Sequence, residues 1–259
     1  MSTFLFDKII FGPVNSRRLG VSLGINLLPT DRKICSFNCI YCECGLNPSQ
    51  NNSKSKLPTR NEVAVKLKLK LKEMQSEGVL PDVITFAGNG EPTLHPEFAG
   101  IIDDTVTIRN EHCPKARIAV LSNASRLHKE DVFSALLKID DNIQKLDSGL
   151  IETIQTLDRP NYPMKLNDVV TQLKRFNGQV IIQTMFIKGD IEGTHIDNTT
   201  EENIAPWLEL LKIIKPGQVM IYTIERDTPF DSLHKVSLEE LQTIATRVRA
   251  AGFDVAVSG

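Results

Sequence analysis

The stretch VSLGINLLPTDRKICSFNCIYC, residues 21–42, runs from an apolar segment directly into a loop carrying three cysteines at C-x3-C-x2-C spacing. Its first eight residues read as a buried strand, closed by Pro29. Three thiolates within eight residues can wrap one cubane, each on a different iron, and leave the fourth iron open to a ligand from outside the chain. A catalytic cluster needs that open position, whereas an electron carrier does not. The loop leaves the strand at its carboxyl end, where parallel α/β proteins place their active sites. Cys35, Cys39 and Cys42 are therefore the candidate ligands of one [4Fe–4S] cluster. Two other uses of the same residues stand beside this one. A structural zinc takes four donors, commonly from two separated C-x2-C units. Cys44 offers a fourth sulfur, but no distant second pair exists and Cys42-Glu43-Cys44 is tight for an ordinary knuckle. A non-catalytic iron–sulfur electron carrier would saturate its cluster with four protein ligands.

Outward from this loop, apolar β-rich runs recur at 83–87, 117–121, 143–146, 180–187 and 219–224. The segments between them read as helices at about 96–110, 129–138, 165–175, 201–214 and 237–251. Strands alternating with helices predict βαβ units and a parallel sheet. Residues 66–72, KLKLKLK, alternate as a strand would, yet Thr59 followed by Glu62 is a capping box. Val63, Leu67, Leu71 and Met74 recur near helical spacing, so the element is predicted as a helix, ended by Gly78 and Pro81. Six βα units are two short of a closed eight-stranded barrel. The predicted fold is an α/β, partial (β/α)6 TIM-like barrel in one domain over 1–259. Its core covers about 10–230, its cluster loop 35–45, and a C-terminal helix and short strand at 237–257 pack on the barrel edge. Segment 45–58 is polar and turn-rich and reads as a loop.

The 259 residues are 41% hydrophobic and 24% charged, which suits a globular chain with a large core. No apolar run approaches the roughly 20 residues that cross a bilayer, and the opening MSTFLFDKII lacks the marks of a secretory signal. The expected location is the cytoplasm, with no membrane partner. Four of the five cysteines fall between positions 35 and 44, which points to metal ligation rather than a disulfide framework. Only Cys44 and Cys113 remain after one cluster, too few for a second all-cysteine one. Net charge is −2, so there is no global case for nucleic acid. Lys54, Lys56, Arg60, Lys66, Lys68, Lys70 and Lys72 make a basic stretch, read as a solvated helix face with its entry loop.

At CSFNCIYC the chain resembles the radical S-adenosylmethionine superfamily, whose signature is this cysteine spacing with an aromatic residue, here Tyr41, before the last cysteine. FGPVNSRRLGVSLGIN at 11–26, TFAGNGEPTLHP at 85–96, KLDSG at 145–149 and IYTIERDTP at 221–229 extend the likeness over about 10–230. These blocks resemble an uncharacterised iron–sulfur oxidoreductase family distantly related to the wyosine-forming tRNA-modifying enzymes. The resemblance implies a [4Fe–4S] cluster, S-adenosylmethionine as cosubstrate, and an electron donor such as flavodoxin or ferredoxin. It implies reductive cleavage of S-adenosylmethionine to methionine and a 5′-deoxyadenosyl radical, which takes hydrogen from a substrate. Kinship to tRNA-modifying enzymes sets RNA ahead of a peptide or small metabolite as that substrate.

Gly88-Asn89-Gly90-Glu91 follows the second strand and is similar to the superfamily's GGE element, which holds the methionine amino group; Asn89 stands where the middle glycine is usual. Glycines let backbone approach a ligand, and a carboxylate accepts from an ammonium. Ser122, Asn123 and Asp147 end later strands and suit ribose hydroxyls or the methionine carboxylate, and Gln183, a polar residue within the fifth strand, is a candidate for an inward-facing cofactor contact, as is Tyr41. Capping a helix or satisfying buried backbone is the alternative use of each. The superfamily's G-x-I-x-G-x-x-E pattern is not evident there, so no adenine contact is assigned. Arg17, Arg18, Lys145, Tyr222 and Arg226 are candidate substrate or barrel-mouth residues, with ordinary surface ion pairs as the alternative for the charged ones.

Overall fold

Thr59 and Glu62 start the first helix, α1 (Arg60–Ser76), through a reciprocal capping box. The Glu62 amide donates to Thr59 Oγ1 at 3.2 Å and the Thr59 amide donates to Glu62 Oε2 at 2.7 Å. Val63, Leu67, Leu71 and Met74 are buried along one stripe, while Leu69, between two of them in KLKLKLK, is 62% exposed. Helical spacing therefore overrides the local alternation, because only that period places four apolar side chains on one face.

The computed structural model describes residues 4–16, 19–48 and 56–259. Its strands are β1 (Ile10–Ser16), β2 (Gly20–Ile25), β3 (Val83–Phe86), β4 (Arg117–Ser122), β5 (Asp141–Lys145) and β6 (Ile181–Met185). They continue with β7 (Ile187–Ile191), β8 (Thr194–Asp197), β9 (Gln218–Tyr222), β10 (Leu233–Lys235) and β11 (Val255–Ser258). After α1 come α2 (Phe98–His112), α3 (Glu130–Leu136), α4 (Ile151–Leu157), α5 (Leu166–Lys174), α6 (Glu201–Ile214) and α7 (Leu238–Ala250). β2, β3, β4, β5, β6 and β9 are parallel neighbours in that order. β1 adds antiparallel to β2, and β11 adds parallel to β9. The architecture is the partial (β/α)6 barrel, an open eight-stranded sheet with its helices outside.

Both faces of the central strands are buried, as parallel sheets require. Ile84, Ile118 and Val120 point outward to Leu67, Phe98 and Ile102 on the helices, while Val83, Ala119, Ile143 and Met220 gather in a separate inner cluster. The strand expected at 253–257 is β11 on the edge of β9, and all six expected helices are present.

The expected run at 180–187 is two strands. Asn198 fills the break, donating to the Met185 carbonyl at 2.7 Å and accepting from the Ile187 amide at 2.9 Å. β7 then joins β8 and β10 in a small antiparallel sheet that the sequence pattern does not announce. Helix α4 was also not expected; it is 7 residues long and starts without a side-chain cap. Much of the expected loop at 45–58 lies outside the described residues, as do Lys54, Arg17 and Arg18. Among the described residues no helix is long and apolar enough to cross a membrane.

Candidate active site

The cysteine loop leaves β2 and is stitched to the turns after β3 and β4 and to the end of helix α4. The Ile34 amide donates to the Asn89 carbonyl at 2.9 Å, and the Glu91 amide donates back to the Ile34 carbonyl at 3.1 Å. Gly90 lies between them at φ +131°, where a Cβ would collide with the Ile34 carbonyl oxygen. That close approach is what the glycine is for. On the far side, the Asn38 amide donates to the Asp158 carbonyl and the Ile40 amide to that of Leu157, each at 2.9 Å. Asn47 closes the loop on itself, its side chain donating to the Cys35 and Phe37 carbonyls at 3.1 and 3.0 Å.

Cys35, Cys39 and Cys42 line one cavity of about 160 Å³ together with Lys33, Tyr41, Gly88, Gly90, Glu91, Ser122, Asn123, Lys145 and Gln183. Lys33 is 4% exposed, and its Nζ donates to the Gly45 carbonyl at 2.8 Å. Burial opposes its charge, but the neighbouring thiols of Cys42, Cys35 and Cys39 outweigh it and raise the ammonium pKa. The thiols differ among themselves. A hydrogen bond from Cys44, opposed by burial and aided by Lys33, lowers Cys42 to about 5. Burial, with Glu91 nearby, pushes Cys35 up to about 12, and burial and Asp158 push Cys39 well up. Burial thus favours the protonated Cys35 and Cys39 thiols even though Lys33 and Lys145 line the same cavity.

Glu91 is buried and braces the loop. Its Oε2 accepts from the Asn123 amide at 2.7 Å and its Oε1 from the Thr93 amide at 3.0 Å. Burial raises its pKa, opposed by hydrogen bonds from Thr93, Asn123 and Ser122. Asn123 Nδ2 donates to Ser36 Oγ at 2.9 Å and to Cys35 Sγ at 3.5 Å, while Ser122 Oγ accepts the Ala124 amide. Asn89 is fully buried but does not line the cavity. Its side chain donates to the Phe6 and Pro29 carbonyls and accepts the Phe6 amide, which ties the N-terminal segment down.

A second buried group stands behind Cys39. Asp158 Oδ1 accepts from Cys39 Sγ at 3.3 Å and from the Tyr41 hydroxyl at 3.0 Å. Asp147 also meets the Tyr41 hydroxyl, and accepts from the Met185 amide at 2.9 Å and from Lys145 Nζ at 3.2 Å. Lys145 donates to Tyr41 as well. Burial opposes the Lys145 charge, but Asp147, Tyr222 and Asp158 more than offset it and hold its pKa well above the ordinary value. Burial next to Asp147 lifts Asp158 to about 7. Asp147 is thus engaged with protein groups rather than lining the cavity. Gln183 donates to the Tyr222 hydroxyl at 2.7 Å, and Arg226 pairs with Glu43 of the cysteine loop at 2.7 Å on the exposed rim.

The donor set agrees with a cluster better than with a single ion. Zinc needs four ligands at about 2.0–2.3 Å from one point, and no group of three or more His, Cys, Asp or Glu among the described residues is gathered that tightly. A cubane takes each thiolate on a different iron, and three thiols facing one cavity beside a buried lysine fit that need. Cys44 does not line the cavity: its thiol lies beside Cys42 and reaches the Gly88 carbonyl at 3.4 Å. Sequence reasoning missed Lys33, Asp158 and Ser36. Lys33 stands two residues before Cys35 and was open to notice, whereas Asp158 follows the unexpected helix α4.

This fold is that of the radical S-adenosylmethionine enzymes. It matches a radical S-adenosylmethionine methyltransferase from Sphaerobacter thermophilus with a TM-score of 0.66 at 16% identity, over 92% of this chain and 65% of that one. It matches TYW1 with a lysine–pyruvate adduct bound at 0.62 and 15%, over 88% and 73%. No family model matches the sequence. The chain belongs to the UPF0026 protein family: it is 32% identical over 241 residues to the UPF0026 protein of Helicobacter pylori strain 26695, covering 90% of this chain and 71% of that relative. It is also 33% identical over 242 residues to a Brachyspira hyodysenteriae protein named GTPase Obg, of whose length it spans only 33%.

Proposed function

We propose that this chain is a radical enzyme that cleaves S-adenosylmethionine reductively at a [4Fe–4S] cluster held by Cys35, Cys39 and Cys42. The observation that carries the reading is the convergence of three thiols, a buried lysine and the Gly88–Glu91 turn on one cavity at the carboxyl end of a parallel sheet. When bound, the cluster supplies the electron that breaks the C5′–S bond, giving methionine and a 5′-deoxyadenosyl radical for hydrogen abstraction. The chain's own residues bind and orient. Lys33 offsets thiolate charge, Glu91 and Asn123 hold the Cys35 end of the loop, and Asp158 and Tyr41 hold the Cys39 end. Gly88 and Gly90 bare the backbone beside the cavity, where an amino group can meet carbonyl oxygens. Gln183 also lines the cavity wall, and its amide oxygen, buried without a partner, can meet a ribose hydroxyl there. A flavodoxin- or ferredoxin-like donor and a cytoplasmic setting belong to the same proposal, with RNA ahead of a peptide or metabolite as substrate.

The test is anaerobic reconstitution with iron and sulfide, then dithionite and S-adenosylmethionine, with chromatography for 5′-deoxyadenosine. Product is expected, and is lost in Cys39→Ala. A fully loaded, reducible cluster that never releases 5′-deoxyadenosine, with or without candidate RNAs, would return the electron-carrier reading.

A further inference from the structure

Cys35 faces two spaces. Besides the thiol-lined cavity, Cys35 and Ser36 form one wall of a separate cleft of about 780 Å³, open to the surface. Ligand pockets commonly measure about 300–1,000 Å³, with apolar walls and a few converging polar groups. Ile34, Leu94, Pro163, Met164 and Val169 supply the apolar wall here. The polar groups come from two loops held in place by their own hydrogen bonds. After β4, Ser125 donates its amide to Asn123 Oδ1 at 3.1 Å and exchanges a 2.7 Å hydrogen bond with Ser36, which carries Arg126 over the cleft. After α4, the Asn161 amide donates to the Ser36 carbonyl at 2.9 Å, and Tyr162 packs near Phe37 with ring centroids 6.3 Å apart.

Arg126 is the unusual member. It is half-buried, its Nε is buried without a hydrogen-bond partner, and its guanidinium meets no carboxylate among the described residues. A buried guanidinium N–H left without a partner is costly. By contrast Arg175, exposed at the end of α5, is paired with Glu130 at 2.7 Å. Lys165 stands across the cleft at the start of α5, a helix without a side-chain cap whose amino end adds positive potential. Asp168 is the one carboxylate lining the cleft, and it is exposed.

We propose that this cleft anchors a small organic anion as a co-substrate beside the RNA, its carboxylate or phosphate on Arg126 and its body along the apolar wall. As a substrate site this rests on the proposed function; as an anion site it stands alone. The planar fork of arginine suits either oxyanion. The two cavities share Cys35 in their walls, which places the anion beside the cysteine loop.

The experiment is titration calorimetry of the cluster-loaded chain with phenyl phosphate, phenylacetate and neutral benzyl alcohol. One or both anions bind, at about millimolar strength for ligands of this size, and their order shows which oxyanion the site takes. Arg126→Met weakens the anions about tenfold, Arg126→Lys recovers part of the loss, and S-adenosylmethionine does not displace them. Anion binding unchanged in Arg126→Met, or benzyl alcohol binding as tightly, overturns the proposal. If Arg126→Met does not fold, Lys165→Ala on the exposed rim serves: about threefold weakening supports the site and no change overturns it. Release of 5′-deoxyadenosine is measured on the same preparations. Arg126-dependent binding without that product sinks the proposed function alone, whereas the product without such binding sinks the cleft alone.

Discussion

On the helical shell, Arg60 holds Asp104 at 2.7 Å through two guanidinium nitrogens, with the side chains 45% and 31% exposed. At the mouth of the half-barrel, Lys145 and Asp147 meet at 3.2 Å with the carboxylate wholly buried. Geometry is better on the outside and consequence is greater on the inside. Water solvates the shell pair whether or not it forms, so the pair contributes little. Inside, each charge removed from water depends on its partners, and losing one leaves the others without compensation. The mouth is therefore a region where the charged groups depend on one another, and the shell one where most can be exchanged.

The largest expected effect follows from that dependence. Asp147→Ala strips partners from Lys145, Tyr41 and the Met185 amide, and urea unfolding should show a loss of about 3–5 kcal/mol. A loss below about 1 kcal/mol would mean the mouth is as tolerant as the shell. Within the shell itself, Leu67 and Leu69 separate its two faces, the first fully buried and the second 62% exposed. Leu67→Ala should cost about 3 kcal/mol and Leu69→Ala less than about 0.5 kcal/mol, since alanine is at least as good a helix former. Equal costs would break the helical reading of KLKLKLK.

Gly90→Ala comes next. Its φ of +131° and the Ile34 carbonyl both oppose a side chain, so about 1–3 kcal/mol of stability should go. Iron bound after reconstitution should fall with it, because the first cysteine hangs from Ile34. Wild-type iron content in this variant would show that the turn is not what sets the loop. The smallest effect belongs to the shell pair. Arg60 holds the Asp104 carboxyl below its ordinary value. Its contribution is complete above the unfolded carboxyl pKa of about 3.9 and is lost as pH falls through the lower folded value. Asp104→Asn should flatten the acid limb of the stability curve slightly and leave stability at pH 7 almost unchanged; a clear loss at pH 7 in 0.5 M salt would count against the contrast.

Much of the outer architecture was legible because it is written at short range. A capping box needs only Thr59 and Glu62, and a buried helix stripe only a period, so α1 and the α/β alternation followed from local pattern. Helix α4 was not legible: 7 residues without a side-chain cap carry too few turns for a period to emerge. The small sheet of β7, β8 and β10 was hidden for another reason, since its pairing joins Leu233–Lys235 to Ile187–Gly189 across the whole of α6 and β9.

The site divides along the same line. Spacing nominated Cys35, Cys39 and Cys42, and the resemblance to the superfamily's GGE element nominated the Gly88–Glu91 turn, because both are encoded within a few residues. Whether Asn89 or Asp147 meets a ligand or a neighbour is decided by which groups the curled sheet brings within hydrogen-bonding distance. The fold spends Asn89 on Phe6 and Pro29, and Asp147 on Tyr41, Lys145 and Met185. Arg126 and Tyr162 carry no sequence signal; they matter only because the loops after β4 and α4 close on Ser36. Chain-local chemistry can be read from order and spacing, but burial and partnership are properties of residues far apart in sequence, and only the tertiary structure assigns them.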